Sequence, residues 1–326
     1  MKRTLLPVLL SLAVIISMTP ASFAEGNRSI TILYTGSVRG AVDPLVGCAC
    51  GKSGSLGGLA RRAQMIESIR KDKGSVLLLD GGAVFDSRKE NAELQLKAME
   101  RMGYDALNLG SPEFHFGKEF LERTHASVSF PYIASNLFYR GSRLPWTREY
   151  VIKGVGGLKV AILGILDPDD LKNIQRQGDA TGFEVLRPET ILNRLLPEVR
   201  GKADLVILLS QLDEVKNRAL VEAAKGIDVA VSPGDDDDKK PENTVVILNT
   251  GSRGMTMGLL TITFDDKRTL GVSERRHVQL DPSVPSNRAM AELIDTYEKE
   301  QEMKKFEVLK LSPQEFMKRH GKELQF

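Results

Sequence analysis

Short apolar runs alternate along this chain with stretches of helical periodicity, and that alternation limits the fold more than any other feature. The first unit is the apolar run Ile30–Tyr34, a helical stretch over Gly58–Arg70 and the apolar run Val76–Asp80. The pattern predicts three further helices, over Glu93–Met102, Pro188–Arg200 and Asn217–Ala224. It also predicts six further strands, over Ala106–Leu109, Tyr132–Asn136, Tyr150–Lys153, Lys159–Leu166, Leu205–Ser210 and Asp228–Val231. Such an order is typical of α/β proteins.

The character of the chain changes after this region. Val245–Asn249, Met255–Phe264 and Ser273–Gln279 have strand composition with no helical stretch between them. We therefore predict that the α/β chain ends in an antiparallel set, and that two mixed β-sheets pack face to face with helices outside. Residues 25–285 form one domain in this prediction, and residues 286–326 form a helical tail that begins with a charged helix over Asn287–Lys305.

The first 24 residues have the composition of a secretory signal peptide. Lys2 and Arg3 precede an apolar run over Leu5–Ile16, and small residues stand at Ser22 and Ala24. We predict cleavage after Ala24, a periplasmic or secreted protein, and no membrane span after cleavage; an uncleaved membrane anchor is the alternative.

Removing the leader also removes the apparent basicity of the chain. The full sequence has 45 Lys and Arg against 43 Asp and Glu, and the leader contains two of the basic residues and no acidic ones. The mature chain then has 43 of each and a net charge of zero. This balance gives no reason to expect a nucleic-acid partner.

The chain has two cysteines, Cys48 and Cys50, in a glycine-rich segment just before the first predicted helix. A bond between them would close too small a loop to stabilise the fold by constraining the unfolded chain. Three interpretations remain open: a redox-active dithiol, a passive surface disulfide, and a soft-metal site of two thiolates. The metal interpretation is the weakest, because none of the four histidines stands at ligand spacing from the pair; they are His115, His125, His277 and His320.

A series of segments, taken in order, resembles one known family. The segments are Ile30–Gly40, Gly57–Arg62, Leu77–Ala83, Ala106–Phe114, Asp204–Gln211, Gly226–Val231 and Thr250–Gly254. Together they resemble the exported 5′-nucleotidase-like metallophosphoesterases of the calcineurin-like phosphoesterase superfamily. The resemblance implies a metallophosphoesterase-like sandwich and, at the strand ends, a pair of divalent metals held by Asp, His and Asn.

The ligand positions that the resemblance implies hold other residues in this chain. The substituted positions are Ser37 and Arg39 in the first loop, Ala83 in the second, Ser111 and Pro112 in the third, Gln211 in the fourth, and Gly234 and Asp236 in the fifth. Ser, Ala, Pro and Gly supply no anionic or imidazole ligand, and Arg39 is a fixed positive charge. We therefore expect no metal cofactor. Glu113 remains beside the third loop, where we favour a structural carboxylate over a partner for Arg39.

The cysteine pair followed by Gly57–Arg62 resembles a subgroup of UshA-like proteins that includes selenoproteins. This resemblance implies that the Cys48–Cys50 segment is the working part of the protein. Our first hypothesis is a redox-active pair that serves an unknown redox or protein partner in the cell envelope. The alternatives are a non-catalytic binding or scaffold protein, and an active metal-dependent phosphoesterase with an unusual ligand set.

Overall fold

The computed structural model describes residues 28–46, 54–176, 180–234, 245–265 and 269–309, apart from the side chains of residues 176 and 306–309. The predicted leader, the Cys48–Cys50 pair, Asp236 and the last part of the predicted tail lie outside these residues. The predictions made for them are therefore neither supported nor contradicted by the fold.

Sixteen strands are present in the described ranges. They are β1 Arg28–Thr35, β2 Leu45–Val46, β3 Ser55–Leu56, β4 Val76–Asp80, β5 Ala106–Asn108, β6 Tyr132–Ile133, β7 Leu137–Tyr139, β8 Thr147–Arg148, β9 Tyr150–Val155, β10 Leu158–Ile165, β11 Phe183–Val185, β12 Leu205–Ser210, β13 Val229–Ser232, β14 Val246–Asn249, β15 Thr256–Phe264 and β16 Leu270–Gln279.

The same ranges contain seven α-helices and one 3₁₀ helix. They are α1 Leu59–Lys73, α2 Lys89–Met102, the 3₁₀ helix Ser111–Phe116, α3 Gly117–His125, α4 Pro168–Arg176, α5 Pro188–Arg200, α6 Glu214–Ala223 and α7 Arg288–Leu309. No described helix is both long enough and apolar enough to cross a bilayer.

Two large sheets form the centre of the fold. The first has seven strands in the order β16-β15-β1-β4-β5-β6-β8, and the second has five in the order β14-β13-β12-β10-β9. In the first sheet, neighbouring strands run parallel across β1, β4, β5, β6 and β8, whereas β15 is antiparallel to both β1 and β16. In the second sheet β9 alone is antiparallel to its neighbour. Both sheets are therefore mixed, as predicted.

The sheets pack face to face through alternate residues of their strands. Ile30, Ile32 and Tyr34 of β1 lie in the apolar cluster between the sheets, together with Ile207 and Leu209 of β12. All of them are at most 1% exposed. Because successive side chains of a strand point to opposite faces, the residues between them face the helix layers.

Helices cover both outer faces. The cluster outside the seven-stranded sheet includes Ile66 of α1, Met99 of α2 and Met290 of α7. The cluster outside the five-stranded sheet includes Leu192 of α5 and Leu220 of α6. The molecule is thus a helix–sheet–sheet–helix sandwich, which confirms the predicted fold class.

One topological prediction was wrong. The last three strands do not form one antiparallel set, because β14 pairs in parallel with β13 in the five-stranded sheet. Only β15 and β16 are antiparallel neighbours, and they extend the other sheet. The absence of a helical stretch between two strands does not determine which sheet edge a strand joins or in which direction it runs.

Candidate functional site

The loops that carry the substituted ligand positions meet at the carboxyl ends of the strands. The backbone N–H of Ser37 donates to the carbonyl of Gly82 at 2.8 Å, and that of Arg39 donates to the carbonyl of Ala83 at 3.0 Å. The loops after β1 and β4 are therefore joined. This edge is where parallel sheets present ligand sites.

The loops after β5 and β12 close the other side. A Cβ placed on Gly110 would lie 2.6 Å from Oε1 of Gln211 and 2.7 Å from the amide nitrogen of Ala83. Ser111 and Pro112 follow at once, as the first two residues of the 3₁₀ helix. The structure thus brings the first four predicted loops to one cleft between the sheets.

The fifth loop reaches the cleft through its neighbour. Gly234 bridges to Gly251, and the backbone N–H of Gly251 donates to the carbonyl of Gly234 at 3.0 Å. The side chain of Thr250 then packs against Gly36 and Gly81 at the ends of β1 and β4. Gly234 therefore borders the cleft, while Asp236 is outside the described residues.

Several cleft residues have left-handed backbone conformations. The φ angles are 51° at Ser37, 49° at Arg39, 58° at Ala83 and 53° at Arg253. Non-glycine residues rarely adopt this region, and an alanine there lacks the local hydrogen bond that asparagine or aspartate provides. The loops therefore keep an unfavourable backbone shape at three of the substituted ligand positions.

Glu113 holds that shape. Its Oε1 accepts hydrogen bonds from the amides of Val84 at 2.7 Å and Phe85 at 3.0 Å, and its Oε2 accepts from Gly110 at 2.6 Å and Ala83 at 3.1 Å. Burial raises the pKa of the Glu113 carboxyl to about 7, and the bonds from Phe85, Gly110 and Val84 limit the rise. This arrangement confirms the structural role that we favoured for Glu113.

A second buried carboxylate lies beneath the cleft. Asp80 accepts hydrogen bonds from the Thr35 hydroxyl at 2.6 Å and from the Gly82 amide at 2.8 Å, and the hydroxyls of Thr35 and Tyr104 lie 2.8 Å apart. Burial raises the pKa of Asp80, and the charge of Arg62 lowers it. The carboxylate faces inward, where it fixes the ends of β1 and β4.

Arg62 lies on α1, and its side chain is fully buried. Its guanidinium nitrogens have no hydrogen-bond partner among the residues described. A Cβ placed on Gly254 would lie 2.3 Å from one of these nitrogens, so the glycine leaves room for the guanidinium. Arg62 thus supplies a positive charge to the Asp80 region. Sequence reasoning missed this role, although Arg62 lies in one of the segments that carry the resemblance.

Amide side chains link the two sheets at the cleft. Nε2 of Gln211 donates to the carbonyl of Gly81 at 2.6 Å. Nδ2 of Asn108 donates to the same carbonyl at 3.1 Å and to that of Ile165 at 3.3 Å. Gln211, which stands at an implied histidine position, therefore serves as a structural bridge from β12 to the loop after β4.

These residues do not fit a pair of divalent metals. Within the described ranges, no three His, Cys, Asp or Glu side chains converge in a way that could hold a metal ion. Two buried carboxylates at the strand ends, Asp80 and Glu113, use their oxygens on hydroxyl and amide donors. Arg39 adds positive charge where the family would place a dication.

Two short strands stand on either side of Cys48 and Cys50 in the sequence. Leu45–Val46 and Ser55–Leu56 pair as antiparallel strands, with Val46 opposite Ser55. Arg61 of α1 donates to the carbonyl of Ser55 at 2.8 Å and to its hydroxyl at 3.0 Å. Cys48 and Cys50 themselves are outside the described residues.

Relatives of known description share both sequence and fold with this chain. No family model matches it. It is 29% identical over 170 residues to a 5′-nucleotidase of Vibrio cholerae, and 28% identical over 165 residues to Protein UshA of Yersinia enterocolitica. The matched segments make up 49% and 48% of this chain, and 31% and 30% of those relatives. The chain thus spans about a third of the length of the curated relatives that it matches.

A solved structure confirms the fold. The 5′-nucleotidase precursor of Thermus thermophilus superposes with a TM-score of 0.74 at 22% identity, over 84% of this chain and 59% of that one. This chain has the fold of the 5′-nucleotidase-like metallophosphoesterases and is similar in sequence to 5′-nucleotidases and UshA proteins.

Proposed function

We propose that this chain is an exported metallophosphoesterase-fold protein without a dinuclear hydrolytic centre, and that Cys48 and Cys50 form a redox-active pair. The side-chain chemistry of the cleft carries the proposal. Ser37, Ala83 and Gln211 supply no anionic or imidazole ligand, and Arg39 is a cation. The hydrolytic activity named for the relatives is therefore not carried over.

The redox half of the proposal rests on the sequence. In a compartment where disulfides persist, two nearby cysteines exchange with a disulfide of a partner protein. The thiolate of one cysteine attacks a partner sulfur, a mixed disulfide forms, and one partner thiolate leaves. The second cysteine then attacks the mixed disulfide. The partner disulfide is reduced by two electrons to a dithiol, and the Cys48–Cys50 pair is oxidised to a disulfide.

The hydrolytic half is tested with the purified full chain. Its metal content is measured by elemental analysis, and AMP and an aryl phosphate are assayed with added Mn²⁺, Co²⁺ or Zn²⁺. We expect no stoichiometric metal and no turnover above the buffer rate, with an active 5′-nucleotidase as the positive control. Robust hydrolysis that EDTA abolishes would instead establish a hydrolase with an unusual ligand set.

The redox half is tested separately by counting thiols across a series of glutathione redox buffers. We expect two thiols per chain to appear together as the buffer becomes reducing. The Cys48→Ser and Cys50→Ser variants are each expected to lose this paired transition and to trap a mixed disulfide. A pair that never exchanges with glutathione would refute the redox role and leave a non-catalytic protein.

A further inference from the structure

A groove opens on the outer helix layer of the seven-stranded sheet, where α1 and the end of α2 meet the start of α7. Its volume is about 400 Å³, which is within the range of small-molecule sites, about 300–1,000 Å³. The floor is apolar and is formed by Ala63, Ile66, Met102 and Met290. All four belong to the core cluster outside that sheet. The groove therefore reaches down to the core and is not a gap between exposed side chains.

This groove lies away from the strand-end cleft. At the start of α1, the backbone N–H of Leu59 donates to the carbonyl of Val42, in the loop after β1, at 2.8 Å. Arg70 and Lys71, which line the groove, stand in the last turn of the same helix. At about 1.5 Å per residue, that turn is about 17 Å farther along the helix axis. The groove is thus separate from the cleft and from the strands that flank the cysteines.

Hydrogen bonds fix the position of α7 against α1 at the groove. The backbone N–H of Asn287 donates to the carbonyl of Ala60 at 3.0 Å, and its Nδ2 donates to Oε2 of Glu67 at 2.9 Å. Oε1 of Glu67 accepts from Nζ of Lys71 at 2.5 Å. The carboxylate of Glu67 is therefore used within the fold, and Lys71 compensates its charge.

Two arginines on the rim have no carboxylate partner within the described part of the chain. Arg70 donates to two backbone carbonyls at the C-terminal end of α2, which leave its charge uncompensated. Arg101, in the last turn of α2, makes no hydrogen bond or ion pair with any residue that the structure describes. Glu292 and Glu300 border an adjoining groove that Arg101 also lines, but neither is within ion-pair distance of it. The rim is therefore cationic, with the five N–H donors of Arg101 available.

We propose that this groove binds a small amphiphilic carboxylate, with an alkyl chain or aromatic ring on the apolar floor and the carboxylate against Arg101. The guanidinium fork matches the two oxygens of a carboxylate, and such charge-assisted hydrogen bonds are about twice as strong as neutral ones. Met102 and Met290 have flexible, polarizable side chains that fit apolar groups of different shapes. The inference goes beyond the redox proposal and involves neither the cysteines nor the cleft.

The test is calorimetric titration of the full chain with octanoate and 3-phenylpropanoate at low ionic strength. Acetate, which has no apolar body, and 1-octanol, which has no charge, are expected to bind at least tenfold more weakly. Between butanoate and octanoate, each added methylene should tighten binding by up to about fourfold, because it is transferred from water to the apolar floor. Tighter binding of octanoate assigns the site to alkyl carboxylates, and tighter binding of 3-phenylpropanoate assigns it to aryl carboxylates.

Variants test the two halves of the groove separately. Arg101→Gln removes the charge and the fork and should weaken octanoate binding about tenfold or more. Arg187→Gln makes the same charge change at an exposed position before α5, in the opposite helix layer, and should leave binding unaltered. Ala289→Trp fills the groove from a half-buried position on α7, so it should abolish binding while urea unfolding stays as in the wild type.

The position of the ligand is read by NMR of the full chain with ¹³C-labelled methionine methyl groups. Octanoate should shift the signals of Met102 and Met290, which Met102→Leu and Met290→Leu assign. The proposal is overturned if octanoate does not bind, if Arg101→Gln binds it like the wild type, or if acetate or 1-octanol binds equally well. The Cys48→Ser/Cys50→Ser variant is expected to bind octanoate like the wild type, so failure of the redox proposal leaves this result intact.

Discussion

The buried pair of charges beneath the cleft gives the sharpest test of how the fold is held together. Arg62 and Asp80 are both fully buried, and the charge of Arg62 lowers the pKa of Asp80. Removing one charge leaves the other uncompensated in the interior. For a directly paired salt bridge this costs about 3–5 kcal/mol, and the cost is smaller here because Arg62 and Asp80 are not joined by a direct salt bridge. We therefore expect Arg62→Met or Asp80→Asn alone to lower the free energy of unfolding by up to about 3 kcal/mol at pH 7.

The double variant separates pairing from simple loss of contacts. With both charges removed, no uncompensated charge remains, so Arg62→Met/Asp80→Asn should cost no more than either single change. The coupling free energy should then exceed the ~0.3–0.5 kcal/mol within which independent sites add. Urea unfolding of the four proteins measures it, with Arg101→Met, an exposed arginine of α2, as the control.

The pH dependence of the stability loss in Arg62→Met is a second, independent test. Burial already raises the folded-state pKa of Asp80, and loss of Arg62 raises it further. A carboxyl with a raised folded pKa stabilises the fold below its unfolded pKa, and this stability is lost as the pH rises through the folded value. The penalty of Arg62→Met should therefore be larger at pH 7 than at pH 4.5. Additive single penalties, or a penalty that is the same at both pH values, would refute the reasoning.

Three further predictions concern other parts of the structure. The folded-state pKa of Glu113 is about 7 against 4.5 for the free group, so wild-type stability should fall by about 3 kcal/mol between pH 4.5 and well above 7, and Glu113→Gln should lack this slope in urea unfolding. A Cβ on Gly258 would lie 1.8 Å from the buried Tyr34 ring, so Gly258→Ala should lower the free energy of unfolding by about 3 kcal/mol. In a Tyr34→Leu background the same change should lower it by less than about 1 kcal/mol. Equal losses in the two backgrounds would contradict the packing argument. Asp213 caps α6 by accepting from the amide of Lys216, so Asp213→Ala should lower Tm in proportion to about 1 kcal/mol, and an unchanged Tm would exclude the cap.

Much of the fold followed from the sequence where local signals were strong. The bounds predicted for Val76–Asp80, Pro188–Arg200 and Leu205–Ser210 match the structure, because short apolar runs and a proline at the first helical turn mark them clearly. The 3₁₀ helix and α3 were not predicted. Pro112 and Gly117 indicate a loop from composition alone. In the structure Ser111–Phe116 forms a 3₁₀ helix, and the Glu113 carboxylate accepts a hydrogen bond from the amide of Gly110 at its start.

The sequence predicted which loops meet at the site but not the buried charged residues beneath them. Strand ends placed Ser37, Ala83 and Gln211 at one edge, because the carboxyl ends of neighbouring parallel strands meet there. The burial of Arg62 could not be read from the sequence, since a charged residue in an amphipathic helix normally faces water. Its environment depends on Gly254, which lies far away in the chain and approaches only in the folded state.

The four amides gathered by Glu113 have a consequence for how tolerant this frame is to change. The loops after β4 and β5 are shaped by a residue that is not one of the implied metal ligands. Replacing a ligand position such as Ala83 therefore leaves the support of its loop in place. Glu113 holds the backbone of these loops, whereas other residues determine the chemistry at their edge. Substitutions at the ligand positions can therefore change that chemistry while the loop backbone is retained.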